Sequence, residues 1–327
     1  MAFVGVSLLS VFLGRYSVSF VDFWRMVWAQ IPGTNVEQTW PSAAVNVMFE
    51  IRLPRIACAI LIGAALSMAG VCYQGMFRNP MVSPDILGAS TGAGFGAAVS
   101  ILLGAGYFAI TGASFIMGLA AVLLAYVVSR FSKTNATLAM ILGGMVISSL
   151  FSAGTSFVKL VADTEETLPA ITYWLMGSLS SIKIENLQFI IIPMIIGMVP
   201  LFIIRWRLNL LTVEENTSKS VGINITALRI IVIICATLLT AASVSVSGMI
   251  GWVGLVIPHF CRIIFGYDYR RLIPATAMFG ATFLLIVDDI ARLATTAEIP
   301  LGILTSFVGC PLFLYLLFTG GGKGARQ

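Results

Sequence analysis

Residues 54–75 read PRIACAILIGAALSMAGVCYQG, and no charged side chain follows Arg55 within this stretch. About 20 apolar residues in a helix cross the hydrocarbon core of a bilayer. The backbone finds no water in that core, so a spanning segment forms its hydrogen bonds within a helix or a closed barrel. Because the run is continuous rather than alternating, the stretch predicts a transmembrane helix.

Similar apolar runs recur along the whole chain. Hydrophobic residues make up 58% of the 327 residues and charged residues only 10%, whereas soluble domains carry about 25% charged residues. Such a chain cannot cover a water-facing surface, so we predict an all-α polytopic membrane protein and expect no nucleic-acid partner. The ten predicted spans lie near residues 2–14 (extending as far as 24), 54–75, 85–106, 109–129, 138–160, 187–206, 227–247, 250–265, 272–291 and 300–319.

The distribution of basic residues predicts the orientation of these spans. Short cytoplasmic loops carry an excess of Lys and Arg. If the N-terminus is cytoplasmic, that side receives most of the 19 basic residues, including Arg78, Arg130 and Arg229. We therefore expect both termini in the cytoplasm, and we call that side of the bundle the inner end.

Two hydrophilic segments interrupt the apolar pattern. Residues 162–185 lie on the outer side, and we expect a short interfacial helix at about 167–177. Residues 205–226 form the longest polar segment at the inner end. This second segment is the best candidate for a surface on which a cytoplasmic partner docks.

The glycine-rich stretches do not indicate a nucleotide site. Gly88, Gly92 and Gly96 follow no strand, and no phosphate-binding lysine accompanies them. Small residues at this spacing let membrane helices approach closely. We expect helix packing here and no ATP site, metal site or cofactor in this chain.

Charged residues near the outer ends of two spans have two interpretations each. Arg52 and Arg55 could anchor the helix end by snorkelling, or they could form a basic socket for acidic groups of an external protein. Asp288 and Asp289 precede Arg292 at helical spacing, which predicts a local ion pair on a shared face. A proton relay is the alternative, since acids inside a membrane are costly.

Six blocks of this sequence together resemble the FecCD permeases, the membrane subunits of type II ABC importers for ferric siderophores, haem and cobalamin. The similarity extends from Arg52 to Leu317. The blocks are RLPR at 52–55, GAALSMAG at 63–70, QGMFRNPMVSPDILG at 74–88, YWLMG at 173–177, Gly248 to His259, and DIAR at 289–292 followed by PLG at 300–302.

The resemblance implies one permease domain over residues 1–327 in the inner membrane, working as a homodimer. Two ATPase subunits would dock inside, carrying the ATP and magnesium, and one substrate-binding protein would dock outside. The external protein would meet Arg52, Arg55 and Arg292. The coupling element would form short helices at about 208–225, with Leu210, Leu211, Glu214, Glu215, Lys219, Val221 and Gly222 contacting the ATPase.

The resemblance also assigns a gate and a path. The cytoplasmic gate would involve Asn79, Met81 and Thr137. The fifth span would line the path with Ser149, Ser152, Thr155 and Ser156.

Two other functions remain open from the residues. An ion-coupled secondary carrier would need charged residues near midspan, and the sequence offers almost none. A membrane prenyltransferase using Asp288 and Asp289 would need a second acidic motif, which we do not find. For the importer, a ferric siderophore is the first expectation for the cargo, with haem, cobalamin or an oxyanion as alternatives.

Overall fold

The computed structural model describes residues 2–31, 34, 36–132, 136–212 and 224–320, and its elements over these residues are all helical. A 3-10 turn at Pro84–Leu87 precedes α4. The helices are α1 Ala2–Phe12, α2 Phe20–Ala29, α3 Ser42–Met76, α4 Ala89–Leu102, α5 Tyr107–Arg130, α6 Ala136–Val161, α7 Thr167–Met176, α8 Ile184–Ile203, α9 Asn209–Thr212, α10 Ile225–Ser247, α11 Val253–Phe265, α12 Tyr269–Leu293 and α13 Leu301–Gly320.

The ten predicted spans all correspond to helices. Six are long and apolar enough to cross a membrane, namely α3, α5, α6, α8, α10 and α12. Four further apolar helices, α1, α4, α11 and α13, occupy the remaining predicted positions. The short outer helix predicted at about 167–177 is also present as α7.

The predicted extension of the first span to residue 24 is wrong. Helix α1 ends at Phe12, and Gly14 lies so close to the Arg52 guanidinium that a Cβ atom there would collide with it. A new helix, α2, starts after Ser19, whose hydroxyl oxygen accepts a hydrogen bond from the Asp22 N–H at 3.1 Å. The serine is thus an N-cap, which marks a helix start.

Helix α3 begins 12 residues before the predicted start at Pro54. Proline has no N–H and its ring collides with the carbonyl four residues earlier, so helices usually begin at it rather than continue through it. Here a π-helical turn covers Val47–Arg52, and the Leu53 N–H reaches the carbonyl of Met48, five residues back. The wider turn accommodates the proline within one continuous helix.

Helices α3 and α10 form the centre of the bundle. In each, 78% of the spanning window is buried, against 28% to 33% in α5, α6 and α8. Glycines permit the close contacts around this centre. A Cβ on Gly70 would meet the Gly254 backbone of α11, and Gly92 and Gly96 press α4 against the backbone of α5. The interpretation of the glycine pattern as helix packing is confirmed.

Candidate functional sites

The outer end of the bundle holds a buried ion-pair cluster centred on Arg55. Its guanidinium donates to both carboxylate oxygens of Asp288 on α12, at 2.8 to 3.0 Å. It also contacts Glu298, in the segment before α13, at 2.9 Å. The cluster therefore ties the outer part of α3 to α12 and to the chain that leads into α13.

A second pair lies beside the first. The Arg292 guanidinium contacts the Asp289 carboxylate three residues earlier, and it donates to the carbonyl and hydroxyl oxygens of Ser10 at 2.8 Å. The predicted local pair is therefore present for Asp289. Asp288 differs from the prediction because it turns to Arg55 on α3 rather than sharing the face of Arg292.

Arg52 satisfies backbone oxygens rather than an acid. It donates to the carbonyls of Val11 and Tyr16, at 3.1 and 2.7 Å, and so holds the end of α1. Arg52, Arg55 and Arg292 are only 5% to 6% exposed. Their contacts join α1, α3 and α12. A docking role for them stays a prediction.

Helix α6 presents the predicted path residues on an exposed face. Ser149, Ser152 and Ser156 recur at three- and four-residue spacing and are exposed, whereas Thr155 is half-buried. The hydroxyls of Ser149 and Ser156 donate to the carbonyls four residues earlier, at 2.9 and 3.0 Å. With these protons already used, the Ser149 and Ser156 hydroxyls present lone pairs on the exposed side of the helix.

The predicted gate residues occupy two places at the inner end. Asn79 and Met81 are exposed in the turn after α3. There the side-chain oxygen of Asn79 accepts a hydrogen bond from the Met81 N–H at 2.9 Å. Thr137, at the start of α6, lines a cleft of about 660 Å³ together with Arg78. Asn79 and Met81 are not among the residues that line this cleft.

The first turn of the predicted coupling segment is fixed to the bundle. Leu211 is buried against the core, Leu210 is partly buried there, and the Leu211 carbonyl accepts from Arg78 Nε at 2.9 Å. Leu211 thus contacts this chain rather than presenting an anchor to a partner. The other predicted coupling residues lie outside the described residues: Glu214, Glu215, Lys219, Val221 and Gly222.

Asn209 connects this segment to α12. Its side-chain amide donates to Asp268 at 2.8 Å, and its side-chain oxygen accepts from the Tyr269 N–H at 2.9 Å. Hydrogen bonds from the Arg270 N–H and from Asn209 lower the pKa of the Asp268 carboxyl. Because Asp268 caps α12, these hydrogen bonds tie α9 to the start of α12.

Comparison with known proteins identifies the family. The model of the FecCD transport family matches residues 2–319. The chain belongs to this family. The FecCD relatives include the molybdate import system permease protein MolB of Haemophilus influenzae, which is 38% identical over 96% of this chain and 93% of that protein. A probable iron chelatin transport system permease protein of Helicobacter pylori is 37% identical over 97% and 96%.

Two solved structures share the fold of this chain. One described as a metal-chelate type ABC transporter in an inward-facing conformation is 38% identical, with a TM-score of 0.87 over 97% of this chain and 96% of that one. The PsaBC complex of Streptococcus pneumoniae has a TM-score of 0.61 at 17% identity, over 84% of this chain and 93% of that one. This second similarity concerns the fold alone.

The structure adds partners that the sequence did not indicate. Glu298 lies 243 residues from Arg55, and Ser10 lies 279 residues from Asp289. No local pattern joins positions so far apart. The one signal for Glu298 was its place two residues before the PLG block at 300–302. The sequence placed Arg78, Arg130 and Arg229 on the inner side, but it could not show that they line one cleft, because they belong to different helix ends.

Proposed function

We propose that this FecCD chain is the permease subunit of an ATP-driven importer that moves a metal chelate across the inner membrane, with a ferric siderophore as the first candidate cargo. The supporting observation is the whole-length similarity, at TM-score 0.87, to a protein described as a metal-chelate type ABC transporter. Relatives named for iron chelatin (37% identical) and for hemin (33%, Yersinia pestis) support the cargo class.

The serine face of α6 supports a path for a cargo whose charge its own ligands mask. Ser149, Ser152 and Ser156 supply polar contacts without a charge that would hold the cargo. Selection of the cargo then belongs mainly to an external binding protein. We place the path between this face and the equivalent face of a second copy, so that the working unit is a homodimer.

ATP hydrolysis belongs to two separate subunits at the inner end. The segment that starts with α9 would receive their movement, and the Asn209 contacts to Asp268 and Tyr269 would carry it into α12. Both termini then lie in the cytoplasm. At the outer end, we propose that a binding protein docks over Arg52, Arg55 and Arg292, where Glu298 forms the partly exposed rim.

Molybdate is the second candidate cargo. The permease of this name from Haemophilus influenzae is 38% identical over nearly the full length. An oxyanion requires donors rather than acceptors along its path. The hydroxyls of Ser149 and Ser156 would have to release their backbone carbonyls to supply them, and this favours a chelate.

The test is ATP-dependent uptake into proteoliposomes that contain this chain, its ATPase and its binding protein. The panel consists of labelled ferric siderophore, haem, cobalamin and molybdate. We expect uptake of the ferric chelate. Uptake of molybdate alone would retain the importer and reject the chelate, and uptake driven by a proton gradient without ATP would reject the importer.

A further inference from the structure

Helix α2, which follows the outer end of α1, carries two separate apolar stripes. It has 10 residues, too few to cross a bilayer, which takes about 20 residues of helix. The first stripe faces the protein: Met26 is buried with Trp40 and Ala44, and Phe23 packs against the main core. One apolar stripe is enough to hold a surface helix on its protein.

The second stripe faces away from the protein. Phe20, Trp24 and Trp28 are 62%, 45% and 57% exposed, and Val21 beside them is exposed as well. Residues four apart share one face of a helix, so the three aromatic side chains form a continuous row, which we call the outward stripe. A cluster of exposed apolar side chains marks a contact with a protein or with a membrane.

The remaining side of α2 is polar. The Asp22 carboxylate accepts hydrogen bonds from the hydroxyls of Ser19 and Thr39, at 2.7 and 3.3 Å. Arg25 donates to the Thr39 hydroxyl at 3.1 Å. A short helix with charged residues on one side and Trp and Phe on another is typical of helices that lie in the plane of a membrane surface.

The outward stripe adjoins a surface that faces lipid. The Phe20 ring lies 5.3 Å from the ring of Phe12, the last residue of α1. Leu8, Leu9 and Leu13 are exposed on and just after α1, which is one of the predicted spans. The exposed apolar surface of α1 therefore meets that of α2 at the outer end of the bundle.

The position and the composition of the outward stripe favour lipid over a second copy of the chain. Helix α1 packs against α12 and α3, whereas α6 packs against α4 and α5. A second copy placed on the serine face of α6 would then leave α2 uncovered. Tryptophan is enriched where acyl chains meet headgroups, because its ring is apolar and its indole N–H is polar.

We propose that α2 lies in the lipid–water interface at the outer end, with Phe20, Trp24 and Trp28 inserted among the headgroups and the first carbons of the acyl chains. This anchor is independent of the transported cargo. Arg52 donates to the carbonyl of Tyr16, between α1 and α2, at 2.7 Å. Anchoring α2 would therefore also fix this arginine relative to the membrane surface.

The test measures tryptophan fluorescence of the full-length chain in phosphatidylcholine liposomes. Subtracting the emission of Trp28→Phe from that of the wild type isolates the emission of Trp28. The apolar side of an interfacial helix reaches about 5–10 Å into the boundary between headgroups and acyl chains. We therefore expect lipids brominated near the glycerol end of their acyl chains to remove most of the Trp28 emission, and lipids brominated near the methyl end to remove less.

The matched control is Trp40→Phe, because Trp40 lies at the same end of the bundle but is buried. Its difference emission should change much less with either lipid. Iodide on both sides of the membrane should quench Trp28 only weakly. Strong quenching of Trp28 by iodide, with none by the brominated lipids, would overturn the proposal, because the outward stripe would then face water or a soluble partner. Stronger quenching from the methyl end would overturn it too, because α2 would then lie within the hydrocarbon core.

Discussion

The ion pair between Arg55 and Asp288 should be among the most costly contacts to break. Asp288 is fully buried and accepts three hydrogen bonds from Arg55 at 2.8 to 3.0 Å. Asp288→Asn leaves the buried guanidinium with Glu298, at 2.9 Å, as its acidic contact. Stripping a buried charge of its partner costs about 3–5 kcal/mol. Since Glu298 remains, we expect a loss of about 3 kcal/mol.

Two control variants show whether the loss of stability comes from leaving a buried charge without its partner. Glu298→Gln removes an acid whose side chain is 24% exposed, so its loss should stay near 1 kcal/mol. The double variant Arg55→Met with Asp288→Leu removes both charges and replaces them with apolar groups. Such replacements are often neutral, so its stability should return to within about 1 kcal/mol of the wild type.

The assay is the free energy of unfolding from titration with sodium dodecyl sulfate in mixed micelles. A loss below about 1 kcal/mol for Asp288→Asn would refute the reasoning, as would a double variant no more stable than the single one. The stable double variant also tests docking. If it folds but no longer supports uptake, Arg55 serves the binding protein as well, whereas normal uptake limits it to the structural role.

Three further predictions concern the path, the packing and the inner end. Ser152→Cys should react with a membrane-impermeant thiosulfonate. Leu150→Cys, which is also exposed on α6 but points away from the serine face, should not react. Equal labelling of the two cysteines would contradict the predicted path. Gly70→Ala should destabilise by about 1–3 kcal/mol through collision with α11, while Gly112→Ala, with open space around it, should be neutral in thermal unfolding. The pKa of Asp268 is lowered in the folded protein, so its carboxylate stabilises the fold at pH values above the ordinary pKa of 3.8. This contribution is lost as the pH falls through the lowered pKa. Asp268→Asn should therefore reduce the dependence of the free energy of unfolding on pH in this acidic range.

The positions of the spans were predictable because hydrophobicity is a property of consecutive residues. A run such as 54–75 has to be a helix in lipid whatever its neighbours are, and the ten predicted runs all correspond to helices. The start of α3 was not predictable, because the π turn before Pro54 depends on backbone hydrogen bonds that composition does not encode.

The functional residues also divide into those that sequence spacing predicted and those that it could not predict. Spacing placed Ser149, Ser152 and Ser156 on one face of a helix, and it paired Asp289 with Arg292. Spacing could not show that Asp288 turns to Arg55, or that Leu211 is buried in the chain's own core. Those contacts join separate helices.

The sequence by itself determined the membrane class, the positions of the apolar helices and the family, since these depend on apolar run length and on ordered local blocks. Only the tertiary structure decided which charged side chains come together. It buried Arg52, Arg55 and Arg292 among internal partners and gathered Arg78, Arg130 and Arg229 around one cleft. The physical reason is that an ion pair or a basic cleft depends on distances between helices, and helix packing sets those distances.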